Sequence, residues 1–409
     1  MLRVYLRLAG RNRKKYESAM MEAYEKILLD EAKEEKKAHD IFFYQRFVLF
    51  DLLHIMGYDA KNLAKERKKK LAERYGKDFS ESGRWKEDFN KIFQSFMGGE
   101  RRLSNLAKNP DFQKEADYIE LIRKNISFLN SDAYNIMVTA TMSAGKSTFI
   151  NSLSGKYVCL SQNMACTSKI HRIMNKGFED GFSYEYDHDL VMTAGREELL
   201  NDNEKNSLDT IIVSTRFIGA LENARVIVGD SPGVNFSGEE EHRKITEKLL
   251  KKKDYKLLIY VMNATQLATN DEDIHLNFVK KIIGRIPVIF VINKIDSFDI
   301  EEEDIHATIR RQTEYLKEKG FSSPVVCPVS ARAGYLSKQF SNSGLSRNEE
   351  RELYNFVDKF EKMNLTEYYS QNFKKIQIPD AEKEEEQLYK TCGLAYVEEI
   401  INNYIKGGK

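Results

Sequence analysis

From residue 134 onward the chain carries five short runs that stay apolar at successive positions: NIMVTA (135–140), RVIVGD (225–230), KLLIYVM (256–262), IPVIFVIN (286–293) and PVVCPVS (324–330). A strand with one wet face alternates apolar and polar residues, so a continuous apolar run implies burial on both faces. Helix-length amphipathic segments separate the runs, and that alternation closes into a parallel sheet covered by helices on either side. The expected class is therefore α/β with a mostly parallel central sheet. In such a fold, ligands sit at the carboxyl ends of the strands.

The first hundred residues follow a different period. Apolar and aromatic residues recur at steps of three and four (Tyr5, Leu8; Met20, Tyr24, Leu28; Phe43, Phe47, Phe50, Leu53) with charges between them, which predicts helices over Arg13–His39 and Ile41–Met56. The charge run Lys61–Arg74 follows, and Gly98-Gly99 and Asn109-Pro110 act as breakers. A further helix over 112–129 puts Tyr118, Ile122, Ile126 and Leu129 on one stripe, which is expected to pack on the domain that follows. The resulting division is an all-α N-terminal region over 1–111 and an α/β domain over 112–409. A helical insertion with the charged helix Ser346–Lys362 occupies about 332–390, and a helix over Leu394–Ile405 closes the chain.

Composition narrows the setting. The net charge of +1 gives no global pull toward nucleic acid, and no specific nucleic-acid partner is expected. Residues 1–130 hold 28 Lys/Arg against 21 Asp/Glu, and the remainder 36 against 42, so the front is mildly basic. The four cysteines (Cys159, Cys166, Cys327, Cys392) show no C-x-x-C pair and no metal-ligand spacing with histidine, which suits a reducing cytoplasm. The first fifteen residues lack the apolar stretch of a signal peptide, and no segment is both long and uncharged enough to span a bilayer. Membrane contact would then be peripheral, through basic runs such as Arg11–Lys15, Arg67–Lys70 and Lys251–Lys253 on an inner membrane face; a solvated helix surface explains the same runs.

The chemistry begins where the first apolar run ends. Ala140-Thr141-Met142-Ser143-Ala144-Gly145-Lys146-Ser147-Thr148 is a phosphate-binding loop with alanine in place of its first glycine, and the helical FINSL follows it. Such a loop turns backbone N–H groups inward around phosphates, while the next helix aims its positive end at them. Lys146 is placed to reach the β- and γ-phosphates, and the Ser147 hydroxyl to bind magnesium.

Three more strand ends follow in order. Asp230-Ser231-Pro232-Gly233 lies 84 residues after Lys146. Asp230 would hold Mg2+ through water, and the Gly233 N–H would approach the γ-phosphate. Asn293-Lys294-Ile295-Asp296 selects the base: a carboxylate accepts hydrogen bonds from the guanine ring N–H and amine, a pattern adenine lacks, so a site built this way rejects the wrong purine by about 10⁴-fold. Ser330-Ala331 would offer a backbone N–H to the guanine carbonyl. Between these elements Thr167, 20 residues after Ser147, can close over magnesium and the γ-phosphate. GTP and GDP are the expected ligands.

T-A-T-M-S-A-G-K-S-T-F-I-N-S-L, S-Q-N-M-A-C-T-S-K-I, D-S-P-G, L-I-Y-V-M-N-A-T-Q-L-A-T-N-D-E-D and N-K-I-D together resemble the bacterial dynamin-like GTPases over about 112–409. The 63 residues from Thr167 to Asp230 suit the enlarged dynamin-type P-loop GTPase domain. The resemblance implies hydrolysis of GTP promoted by pairing of two G domains. It gives Ser143 the role of balancing transition-state charge, together with a monovalent cation (K+ or Na+), and makes Ser143, Lys146 and Thr167 the catalytic set. Val234 stands where small signalling GTPases carry a water-orienting glutamine, and Met142 where eukaryotic dynamins have glutamine. The implied partners are a second copy through the G domains or a second dynamin-like protein, in a membrane-associated or multi-protein assembly. A nucleotide-dependent switch or scaffold that recruits a protein with little turnover is the alternative; intact Lys146, Ser147, Thr167 and Asp230 favour the enzyme.

Overall fold

The computed structural model describes residues 46, 49, 50, 53, 65–78, 84–159, 170–179, 181, 183–186, 190–192, 210–232, 240–299, 304–342 and 344–407. The helices expected over Arg13–His39 and most of Ile41–Met56 lie outside these residues. The chain divides into two compact units, one of residues 1–131 with 188–192 and one of residues 132–187 with 193–409.

The first unit is helical: α1 (Lys65–Asp78), α2 (Trp85–Met97), α3 (Glu100–Ala107), a 3-10 turn at Pro110–Glu115, and α4 (Ala116–Asn130). Gly98 ends α2, and Gly99, at φ +74°, starts α3 in a conformation that favours glycine. Its core joins Phe50, Leu53, Tyr75, Phe89, Ile92, Leu103 and Phe112. Arg46 is buried there, pairing with Asp88 at 2.9 Å and Glu115 at 3.3 Å while its guanidinium lies 4.3 Å from the Phe112 ring centroid. The helix over 112–129, expected to open the α/β domain, instead buries Ile119 and Ile122 in this core, with Tyr118 and Ile126 packed against it. Its apolar stripe is thus absorbed by the helices before it. A three-residue strand, β4 (Leu190–Met192), groups with the same unit.

Among the described residues the second unit holds eight strands in the order β3-β5-β2-β6-β1-β7-β8-β9, with β1 (Tyr134–Ala140), β2 (Ile170–Asn175), β3 (Tyr184–Tyr186), β5 (Thr210–Thr215), β6 (Val226–Asp230), β7 (Leu257–Asn263), β8 (Val288–Asn293) and β9 (Val325–Pro328). The five strands read from the sequence form the parallel half β6-β1-β7-β8-β9. All seven residues of β7 are buried, as a strand covered on both faces requires. Beyond β6 the direction reverses: β2 runs antiparallel to β6, parallel to β5, and β3 is antiparallel to β5. Helices α5 (Lys146–Ser154), α6 (Glu240–Lys252), α7 (Asn270–Ile283) and α8 (Ile305–Glu318) connect the strands. After β9 come α9 (Ala331–Asn342), α10 (Arg347–Lys362), α11 (Thr366–Asn372), α12 (Glu384–Thr391) and α13 (Leu394–Ile405). Ser346 caps α10 reciprocally with Glu349, a capping box.

Among these C-terminal helices is a buried ion pair between Lys338 of α9 and Glu398 of α13. Lys338 Nζ also donates to the carbonyls of Ser152 at 2.8 Å and Leu153 at 3.2 Å, satisfying the last turn of α5. Glu398 accepts from Tyr389 Oη at 2.5 Å and from the Ala220 N–H at 3.1 Å. Burial lowers the Lys338 ammonium and raises the Glu398 carboxyl from their ordinary ranges, and the partners offset much of that cost.

Candidate functional site

Strand β1 lies in the interior of the sheet, and its carboxyl end runs into the phosphate loop. Ala140 is fully buried opposite Val261, so the methyl group that replaces glycine packs into the core. Ser143 (φ +61°) and Gly145 (φ +83°) make the sharp turns. At Gly145 a Cβ would come within 2.4 Å of Asn293 Nδ2, so glycine is required both by the backbone and by the neighbour. Thr141 is half-buried, Ala144 buried, and Met142 and Ser143 exposed. Gly145 then starts α5, whose N-terminus has no side-chain cap, with Lys146, Ser147 and Thr148 in its first turn. A helix start of this form leaves N–H groups for an anion.

Lys146 is buried and forms an ion pair with Asp230 at the end of β6, itself fully buried. A phosphate would have to draw Lys146 off this carboxylate. Two bonds fix the Asp230 segment: Ser231 Oγ donates to the Val138 carbonyl at 3.1 Å, and Thr246 Oγ1 of α6 donates to the Pro232 carbonyl at 2.9 Å.

Asn293, at the end of β8, is a strut. Its Nδ2 donates to the Ala144 carbonyl at 3.1 Å, and its Oδ1 accepts the Ala331 N–H at 3.0 Å. One side chain thus ties the phosphate loop to the loop after β9. Lys294 (φ +65°) turns the chain into a 3-10 turn, Ile295–Ser297, that presents Asp296 half-buried. The Ser330 N–H donates to the Cys392 carbonyl at 3.0 Å, joining the base-side loop to the start of α13. With the Ser330 and Ala331 N–H groups both held by protein, a nucleotide carbonyl would share or displace one of these bonds. Thr141, Met142, Ser143, Ala144, Gly145, Lys146, Ser147, Thr148, Asp230, Asn293, Lys294, Asp296, Ser330 and Ala331 therefore all lie at the ends of β1, β6, β8 and β9 or in the segments that leave them. Thr167, Gly233 and Val234 lie outside the described residues.

Behind the phosphate loop is a group that no motif announces. Thr139 Oγ1 lies 2.9 Å from His275 Nε2, and the His275 ring packs on Tyr260. Burial drives the His275 pKa down to about 3, so the ring is neutral at any ordinary pH. Nearby on α7, burial pushes the Glu272 carboxyl up to about 7, opposed by the Ala268 N–H that donates to it. Only the helical period of α7 bears on these positions in the sequence, and it marks them as core.

The donor set suits magnesium, a hard cation that prefers oxygen: a serine hydroxyl in the first turn of α5 and a buried carboxylate at the neighbouring strand end. The sequence profile of the dynamin family matches residues 136–295. That stretch is a dynamin-family GTPase domain. Every strand-end motif except the Ser330-Ala331 loop and Asp296 falls within it, and Asp296 follows the last matched residue directly.

Solved structures resemble the GTPase domain and its surroundings more loosely. An oligomerised bacterial dynamin pair, described for long-range sensing and tethering of membranes, is 14% identical with a TM-score of 0.41, covering 81% of this chain and 62% of its own. Era from Aquifex aeolicus with GDP and aluminium fluoride is 19% identical with a TM-score of 0.29, covering 49% and 52%. Toc33 from Arabidopsis thaliana is 13% identical with a TM-score of 0.33, covering 52% and 79%. The chain thus spans about three fifths of the bacterial dynamin's length. No curated protein matches the sequence.

Proposed function

We propose that this chain binds GTP with Mg2+ and hydrolyses it to GDP and phosphate, and that pairing of G domains stimulates the step. The observation that carries the reading is the convergence of Lys146, Asp230 and Asn293 on one edge of the sheet, with Asn293 bonded to both the phosphate loop and the base-side loop. The triphosphate would lie in the loop 141–148, with Lys146 moving from Asp230 to the β- and γ-oxygens. Ser147, Thr167 and, through water, Asp230 would hold Mg2+, which supplies charge neutralisation between the phosphates when bound. Asp296 would accept from guanine, with the Lys294 stem along the ring. Gly233 would bring a backbone N–H to the γ-phosphate.

Hydrolysis of this kind asks the protein for positioning and charge stabilisation. With Val234 at the place of a water-orienting glutamine, the missing orientation would come from a facing G domain. Ser143 would sit across the transition-state charge with a K+ or Na+ ion. Its exposure and that of Met142 at the mouth of the loop support a face available to a partner, either a second copy or a second dynamin-like protein. We place the protein in the cytoplasm, with peripheral contact on the inner membrane face. Among the described residues no helix is long and apolar enough to cross a membrane, and Lys244, Lys248, Lys251 and Lys252 give α6 a basic surface.

The test is GTP turnover per molecule against protein concentration. A rate that rises with concentration supports pairing, whereas a constant rate removes it and no turnover removes the enzyme. Co-sedimentation with anionic liposomes, with and without a non-hydrolysable GTP analogue, tests the membrane contact.

A further inference from the structure

On the far side of Asp230 from the phosphate loop lies a second set of donors. His171 on β2 stands opposite Asp230 in the antiparallel register with β6, which brings the two side chains to one face of the sheet. His171 Nδ1 is 4.0 Å from Asp230 Oδ2. Cys159 is brought to the same place by Asn151 of α5: Asn151 Oδ1 accepts the N–H groups of Val158 at 2.9 Å and Cys159 at 2.8 Å, and Asn151 Nδ2 donates to the Cys159 carbonyl at 2.8 Å. The ligand atoms of Cys159, His171 and Asp230 all lie within 4.8 Å of one another, and all three residues are fully buried. Asp230 uses Oδ1 for Lys146, while its buried Oδ2 is turned toward His171, and the Cys159 thiol lies beside the same carboxylate.

We propose that Cys159, His171 and Asp230 form a site for a thiophilic divalent cation of the zinc class, whose occupation inhibits the nucleotide site by engaging Asp230. One sulfur, one imidazole nitrogen and one carboxylate oxygen form a set that zinc accepts, whereas magnesium favours neither the sulfur nor the nitrogen. Metal–ligand lengths of about 2.0–2.3 Å in a tetrahedral shell place neighbouring ligand atoms about 3.3–3.6 Å apart. The observed spread therefore closes with side-chain shifts of roughly 1 Å or less. Cys159 binds as the thiolate, its proton leaving to solvent, and water completes the shell. Asp230 is shared: one oxygen faces Lys146 and the magnesium position, the other faces this site. A dication on Oδ2 repels the Lys146 ammonium and weakens the carboxylate's hold on the magnesium waters. The inhibitory half rests on the GTPase reading above; the binding half does not.

The experiment uses the full chain with Co2+ as a spectroscopic probe in excess Mg2+ and no nucleotide, followed by GTP turnover with graded Zn2+. One equivalent of Co2+ should produce a sulfur-to-cobalt charge-transfer absorption that Zn2+ displaces. Cys166→Ser should keep the band, Cys159→Ser should abolish it, and His171→Gln should weaken Co2+ binding at least about tenfold. Zn2+ should suppress GTP turnover of the unmodified chain at concentrations that leave Cys159→Ser active. If Cys159→Ser does not fold, judged by circular dichroism, His171→Gln makes the same comparison. No thiolate band, or a band that survives Cys159→Ser, overturns the site; equal inhibition of both proteins overturns the regulatory half. A band without turnover in any protein supports the site and counts against the GTPase reading instead.

Discussion

Replacing Asn293 by alanine tests whether this residue is a structural strut or acts only when a base is present. The side chain is buried, and two groups depend on it: the Ala331 N–H and the Ala144 carbonyl, both on residues that are themselves buried. A buried backbone group left without a partner costs about 1–3 kcal/mol. Two such groups give about 2–6 kcal/mol, and water entering the vacated space brings the expected loss to about 2–4 kcal/mol. This loss should appear in the nucleotide-free protein, as a lower urea midpoint in far-ultraviolet circular dichroism, and GTP affinity should fall with it because the phosphate loop loses its tie. An Asn293→Ala variant with unchanged stability and weakened GTP binding would refute the strut, since the bonds to Ala144 and Ala331 would then carry no free energy without a ligand.

Three further outcomes follow from particular contacts. Lys338→Met leaves Glu398 as an unpaired buried carboxylate and should cost about 3–5 kcal/mol, with Lys338→Met/Glu398→Leu regaining much of it; a single variant no worse than the double would contradict this. Glu272, raised from 4.5 to about 7 by burial, keeps in the folded state a proton that the unfolded chain releases between those values, so it makes stability fall as pH rises through that window. Glu272→Gln should flatten the fall, changing the difference from the unmodified chain by about 3 kcal/mol between pH 4.5 and 7.5, and parallel curves would rule it out. His275 pulls the other way, losing stability as pH drops below 6.5, but it is common to both proteins and cancels in the difference. Gly145→Ala forces a side chain into φ +83° and against Asn293, and should weaken GTP binding at least about tenfold by calorimetry, whereas unchanged affinity would show that the loop can rearrange.

Much of the α/β unit was legible because its parallel strands are apolar at consecutive positions, a signal that survives without tertiary context. Strands β2 and β5 were not, since in each every second residue is buried and the others are half-buried, and IHRIMN carries three polar side chains (His171, Arg172 and Asn175) beside its apolar ones. The reversal between β2 and β6 is a pairing choice with no local signature, so the approach of His171 to Asp230 could not be foreseen. The motif residues at the strand ends were legible because phosphate and guanine demand particular residue types in order. That Asn293 bonds both loops depends on side-chain geometry across 149 positions, from Ala144 to Asn293. Of the helix expected over 112–129, the part from Ala116 onward is α-helical while residues 112–115 belong to the 3-10 turn; its stripe matches two possible neighbours, and only packing identifies Phe112, Ile119 and Ile122 with the helical core.

The most direct measurement is calorimetric titration of the full chain with GTP and with ATP, each with Mg2+. If Asp296 reads the purine while Lys146 and Ser147 hold the phosphates and their ion, GTP binds and ATP binds about 10⁴-fold more weakly or not detectably. Equal binding of the two, or binding of neither, would contradict the account.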